Sequence, residues 1–127
     1  MAIKYHNPKS VSLAGKYSLG AEIPPGARVL FVSGQVGVDS RGKILDGIEK
    51  QVAQVFKNIG QVLKAGGVGF KDVVKVNVFL TDSRFIPTYR SVRDRFLSEP
   101  YPASTLLVVA GLADPAMLVE VEVVAAR

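Results

Sequence analysis

The spacing of apolar residues changes period along this chain, and that change constrains its fold more than any other feature. Ile48, Val52, Val55, Phe56, Ile59, Val62 and Leu63 recur at steps of three and four, which lines them along one face of an α-helix. From Val73 to Leu80 the step becomes two: Val74, Val76 and Val78 alternate with Lys75, Asn77 and Phe79, as in a strand with one wetter face. A one-sided helix followed by a one-sided strand predicts a helix laid on a sheet. The helix is expected from about Gly47 to Ala65. Asp46 is its expected N-cap, and Gly66 with Gly67 supplies the left-handed conformation that ends it.

The remaining elements fall around this pair. Val29 to Val32 is a β-branched and aromatic run between Pro24-Pro25-Gly26 and Gly34, and reads as a buried strand. Tyr17 to Ile23 is expected to pair with it as a hairpin across the Pro-Pro-Gly turn. Asp82 or Ser83 caps a second helix reaching about Leu97, with Phe85, Tyr89, Val92 and Phe96 on one stripe and Pro87 in the first turn. After Pro100 and Pro102 come strands Ser104 to Ala110 and Met117 to Ala126, joined by an Asp114-Pro115 turn. The order β-β-α-β-α-β-β lacks the strict alternation of a doubly wound fold. It predicts an α+β protein, a mixed sheet with two helices on one face. The last two strands are apolar on both sides, so the second sheet face needs a cover, and self-association supplies one.

With 127 residues and no repeat, linker or low-complexity stretch, a single domain spanning residues 1–127 is expected. The chain has no cysteine, which removes disulfides, thiolate nucleophiles and Cys-based zinc sites. Met1 to Ser10 has no apolar core for a signal peptide, so the mature protein is expected to start near residue 1. The apolar run Leu106 to Ala113 is too short to span a bilayer; a soluble cytoplasmic protein with no membrane partner is expected. The net charge of +5 raises nucleic acid as a partner. Its richest stretch, Arg84, Arg90, Arg93 and Arg95, is interleaved with Asp82, Asp94 and Glu99 and reads as the solvated face of a helix rather than a phosphate-binding patch.

The inventory of reactive groups is short. His6 is the sole histidine and has no second metal ligand near it in sequence. Gly66, Gly67 and Gly69 follow a helix and are not followed by Lys-Ser/Thr, so they read as a helix stop rather than a phosphate loop. Three features are more pointed. Ser33-Gly34-Gln35 ends the first buried strand, where a glycine permits close approach of a ligand or marks a bulge. Tyr101-Pro102-Ala103-Ser104-Thr105 places two hydroxyls at a strand mouth. Glu120 and Glu122 stand two apart in a nearly apolar strand, on one face, and must be exposed, paired or functional.

In order and spacing these segments resemble the RidA/YjgF family over essentially the whole chain: Ala14-Gly15-Lys16-Tyr17, Val32-Ser33-Gly34-Gln35, the helix beginning Gln51-Val52, Val73 to Leu80, Tyr101 to Thr105, and Val119-Glu120-Val121-Glu122. The resemblance implies a chorismate-mutase-like homotrimer, each subunit a mixed six-stranded sheet with two helices on one face, with three clefts each lined by two subunits. It also implies hydrolysis of reactive enamines and imines to ammonia and a keto acid, without metal or organic cofactor. Carried onto this chain, Tyr17, the backbone at Ser33-Gly34, Thr105 and Glu120 line the cleft, and Glu120 directs the attacking water.

Two positions depart from the family pattern. Active deaminases carry arginine after the Pro-Ala of the fifth-strand segment, where this chain has Ser104; near the start of the second helix, where the family often has Asn, it carries Tyr89. Arginine would bind a substrate carboxylate through two charge-assisted hydrogen bonds, and serine offers one neutral donor. Losing such a contact costs about 2 to 5 kcal/mol, roughly thirty- to several-thousand-fold in affinity. Two functions follow: a cofactor-free deaminase using Glu120, with Tyr17, Ser33, Gly34, Tyr89, Ser104 and Thr105 around the substrate, or a non-catalytic metabolite-binding or regulatory module using the same cleft.

Overall fold

The computed structural model describes residues 2–127; Met1, the expected start of the mature chain, lies outside them. Along the chain run β1 (Lys4–His6), β2 (Gly20–Glu22), β3 (Val29–Val36), α1 (Ile48–Ala65), β4 (Val73–Leu80), α2 (Ile86–Arg93), β5 (Ala103–Val108) and β6 (Val119–Ala126). The last four strands form a sheet of order β3-β6-β4-β5, and β1 and β2 form a separate two-stranded ribbon. Only β4 and β5 are parallel, and α2 provides the crossover such a pair requires.

The core lies between this sheet and α1. Val52, Val55, Phe56, Ile59 and Leu63 of α1 meet Val76, Val78 and Leu80 of β4 and Val119, Val121 and Val123 of β6. The strand period of two thereby assigns each side chain a face: Val119, Val121 and Val123 point to the helices, Glu120, Glu122 and Val124 to the other side. Phe56 also gathers Phe70, Phe96 and Tyr89, stacking on Phe96 at a centroid separation of 5.2 Å, and so joins α1 to α2.

One polar side chain is built into the core. Gln51 donates to the carbonyls of Leu45 and Ala116 at 2.9 and 2.8 Å and accepts from the amide of Leu118 at 2.9 Å. It ties the approach to α1 to the segment entering β6. Gln51→Leu conserves volume but strands two carbonyls and one amide, so a loss of about 3 to 5 kcal/mol is expected in urea unfolding; an unchanged midpoint would show that the loops relax to water instead.

The structure amends four local expectations. Tyr17 to Ile23 does not form a hairpin with the Val29 strand. β2 pairs instead with β1, Lys4 opposite Glu22, so the six strands are divided between a four-stranded sheet and this ribbon rather than joined in the expected six-stranded sheet. Consecutive prolines deprive that connection of amide donors, while the polar N-terminal segment has donors to spare. The N-cap of α1 is Gly47 at φ 85°, not Asp46, and at the other end Gly67 (φ 74°) is left-handed while Gly66 is not. The second helix is shorter than expected: Asp82 caps a 3-10 turn at Ser83–Phe85, α2 stops at Arg93, and the chain turns there so that Phe96 reaches Phe56 and Phe70. Of the closing strands, Ala103–Val108 starts one residue before the expected Ser104 and stops two before Ala110, and Val119–Ala126 starts two residues after the expected Met117.

The helix-free face of the sheet is the one that the sequence leaves without a cover. Phe31 stands 77% exposed on it, opposite Val124, and Leu107 of β5 is half exposed.

Candidate functional site

Pairing between β3 and β6 slips between Val32 and Gln35, leaving Ser33-Gly34 in a bulge on the edge strand β3. A Cβ on Gly34 would overlap the carboxylate of Glu120. Glycine therefore allows Glu120 to lie across the bulge, and the close approach expected at Gly34 is made by this side chain. Glu122 lies on the same face and accepts from Asn77 Nδ2 at 3.3 Å. Asn77 is opposite Thr105, whose Oγ1 accepts from Lys75 Nζ at 2.9 Å. Thr105, Asn77, Glu122 and the Ser33-Gly34 bulge thus form a polar row across four strands. A cavity of about 430 Å³ opens between Phe31, Ser33, Asn77 and Glu122.

Ser104 is elsewhere. It pairs with core-facing Val76, so strand alternation turns it to the helix side while Thr105 takes the other. Tyr17 comes to the same place because Ser18 docks on the start of β5, its amide donating to Pro102 O at 3.0 Å and its hydroxyl to Tyr101 O at 2.6 Å. Between this segment, Ser104 and α2 lies a cavity of about 510 Å³, lined by Lys16, Tyr17, Tyr89, Arg90, Arg93, Asp94 and Leu106 among others. Lys16 Nζ donates to Asp94 at 2.8 Å and Arg93 Nη2 to the same carboxylate at 3.0 Å. The lysine's hydrogen bond, then the arginine's, holds the Asp94 carboxyl below the usual range, and the Lys16 ammonium is raised in return.

Arg93 corrects the reading of the arginine run as a solvated face. Its side chain is 14% exposed and its guanidinium lies 6.0 Å from the centre of the Tyr89 ring. Arg84 and Arg95 do face solvent, paired with Asp82 and Glu49. Tyr89 is 1% exposed, and its hydroxyl has no hydrogen-bond partner among the described residues. Burial pushes that phenol well above its ordinary pKa, so it stays neutral.

The residues singled out from the sequence therefore form two groups within one chain. Ser33, Gly34, Thr105 and Glu120 share the helix-free face; Tyr17, Tyr89 and Ser104 gather at the β5 edge on the helix side. Sequence reasoning missed Lys16, Arg90 and Asn77. Lys16 meets Asp94 across 78 positions, which no local pattern announces. His6 is exposed beside Glu22, away from both groups. Among the described residues no cluster of three His, Asp or Glu side chains could hold a metal ion, and no helix is long and apolar enough to cross a membrane.

Comparison with known proteins agrees with this architecture. The sequence profile of the family described as Endoribonuclease L-PSP matches residues 8–127. A mouse (Mus musculus) 2-iminobutanoate/2-iminopropanoate deaminase is 32% identical over 121 residues, covering 94% of this chain and 87% of the relative. The crystal structure of RidA from the Antarctic bacterium Psychrobacter sp. PAMC 21119 superposes with a TM-score of 0.74 at 35% identity, over 90% of each chain. A Rid-family protein of unknown function from Yersinia pestis shares the fold over 100% of both chains, with a TM-score of 0.89 at 24% identity.

Proposed function

Because the chain belongs to the Endoribonuclease L-PSP family, that of the RidA/YjgF proteins, we propose that it hydrolyses small imines and enamines, without a cofactor, at clefts between the subunits of a homotrimer. The observation that carries this reading is Glu120 lying across the Gly34 bulge: a carboxylate on the helix-free face, beside the polar row of Glu122, Asn77 and Thr105, reached over a residue with no side chain to block it. The relatives named as imine deaminases support the reaction class.

In the proposed reaction water adds to the carbon of a protonated imine. Glu120 takes one water proton as the C–O bond forms, and the C=N π pair moves to nitrogen, giving a carbinolamine. The Glu120 carboxyl then returns its proton to nitrogen. The C–N bond breaks, ammonia leaves, and the hydroxyl gives its proton to the Glu120 carboxylate as C=O forms; this proton, equal to the one that entered on the imine, passes to ammonia or solvent. An enamine enters the same sequence after protonation at its β-carbon. The Ser33-Gly34 backbone and Thr105 orient the substrate on this face. The Tyr17 and Ser104 group lies on the other side of the sheet, so both groups serve one substrate only if a neighbouring subunit brings its β5 edge to the helix-free face, as a closed ring of three does.

A nucleic-acid partner has less support. In the chain's richest basic stretch Arg84 pairs with Asp82, Arg93 with Asp94 and Arg95 with Glu49, so that stretch presents no continuous basic track to follow a phosphate backbone. The test is release of ammonia and 2-oxo acid from freshly generated 2-iminobutanoate. Acceleration over the spontaneous reaction is expected. Its absence, with 2-oxobutanoate still bound, would favour a metabolite-binding module in the same cleft.

A further inference from the structure

The cavity between α2 and the β5 edge holds more positive charge than its own residues neutralise. Lys16, Arg90 and Arg93 line it against the single carboxylate of Asp94, and Lys16 and Arg93 both spend their hydrogen bonds on that carboxylate. Arg90, on the exposed side of α2, has no ion-pair or hydrogen-bond partner among the described residues, and neither has the Ser104 hydroxyl across the cavity. Arg28 does not reach this cavity: its Nη1 lies 3.4 Å from Gly66 O, beside the start of β3.

We propose that this cavity is a carboxylate seat in which Arg90, from helix α2, and the Ser104 hydroxyl hold an anionic substrate, so that the charge absent at position 104 is supplied from the facing helix. For its choice of ligand the inference rests on the imino-acid reaction proposed above. A guanidinium presents two parallel N–H groups to a carboxylate, and the hydroxyl adds a third donor. Lys16 and Arg93, fixed on Asp94, contribute positive potential without competing for the ligand. At about 510 Å³ the cavity has room beyond a carboxylate, and Leu106 and Tyr17 offer apolar surface to the remainder of the molecule. The seat therefore selects an anionic ligand over its neutral counterpart.

Equilibrium binding separates this seat from the chemistry. The probes are 2-oxo-4-methylpentanoate, its uncharged counterpart 4-methylpentan-2-one, and inorganic phosphate, titrated calorimetrically into the full chain. The wild type is expected to prefer the oxo acid over the ketone by roughly tenfold or more, and the preference should fall as salt is raised. Arg90→Gln is expected to abolish that preference and Arg90→Lys to keep part of it. Arg84→Gln, on a cation tied to Asp82 outside the cavity, should change nothing. Ser104→Arg should add little to the wild type yet restore acid binding in Arg90→Gln, the non-additivity of two groups serving one carboxylate. Undiminished acid binding by Arg90→Gln, no acid preference in the wild type, or tighter binding of phosphate than of oxo acid would each overturn the seat. A wild type that binds the acid through Arg90 but hydrolyses no imine would leave the seat standing and remove the proposed reaction; turnover with Arg90-independent binding would do the reverse.

Discussion

Glu120→Gln is expected to slow release of 2-oxobutanoate from 2-iminobutanoate by roughly 10²- to 10⁴-fold, the span general-base catalysis commonly contributes. The amide has the shape of the carboxylate and fits over Gly34 as Glu120 does, so the sheet and its bulge should be unchanged. What it loses is the capacity to accept a proton from water and return it to the leaving nitrogen. Binding of 2-oxo-4-methylpentanoate should stay close to the wild-type value, because the proposed seat holds the acid by its carboxylate at Arg90 and Ser104 and the amide keeps the shape of Glu120. Glu122→Gln is the informative comparison: Glu122 is on the same face but accepts from Asn77, and its replacement should cost far less. Full activity in Glu120→Gln with a large loss in Glu122→Gln would exchange their roles.

The sequence disclosed those parts of the fold that burial enforces. α1 and β4 were legible to within a residue or two because each has one face in the core, and a shift by one position would carry that face into water. β1 and β2 were not, since three-residue strands of mixed polarity carry no period; their pairing is decided by which free amides are close once the larger sheet has formed. The end of α2 was overestimated because its apolar stripe continues to Phe96, but Phe96 reaches the core from a turn, not from a fourth helical residue on the stripe.

For the site, the chemistry was more legible than the geometry. Glu120 stood out as a carboxylate in an apolar strand, and Gly34 as a place of close approach; the sequence could not say that each explains the other. Ser104 and Thr105 were read as neighbours at one strand mouth, yet strand alternation alone places adjacent side chains on opposite faces. Treating them as one cleft already required a second subunit. The arginines of α2 stood out as a run but read as a solvated face, because what makes two of them line a cavity, Lys16 and the β5 edge, comes from distant parts of the chain and meets them only in the folded protein.

Phe31→Asp is expected to convert the proposed trimer to monomers at micromolar concentration, as read by light scattering, while each subunit keeps its native circular dichroism. Phe31 is 77% exposed on the helix-free face and touches the core of its own subunit little, so the fold does not depend on it. An aromatic side chain left outward in a strand opposite Val124 is explained by burial against another copy. Closed threefold symmetry repeats the substitution at every interface, and a carboxylate buried without a partner costs several kcal/mol each time. The same variant tests whether the two groups of site residues act together. Glu120 would remain over Gly34 and Arg90 would remain beside Ser104, each group intact within its subunit, but no neighbour would bring them to one substrate. Hydrolysis should therefore be lost along with the trimer. A monomeric variant that retains full activity would locate the whole reaction within one chain, and a variant that remains trimeric would show that a different face joins the subunits.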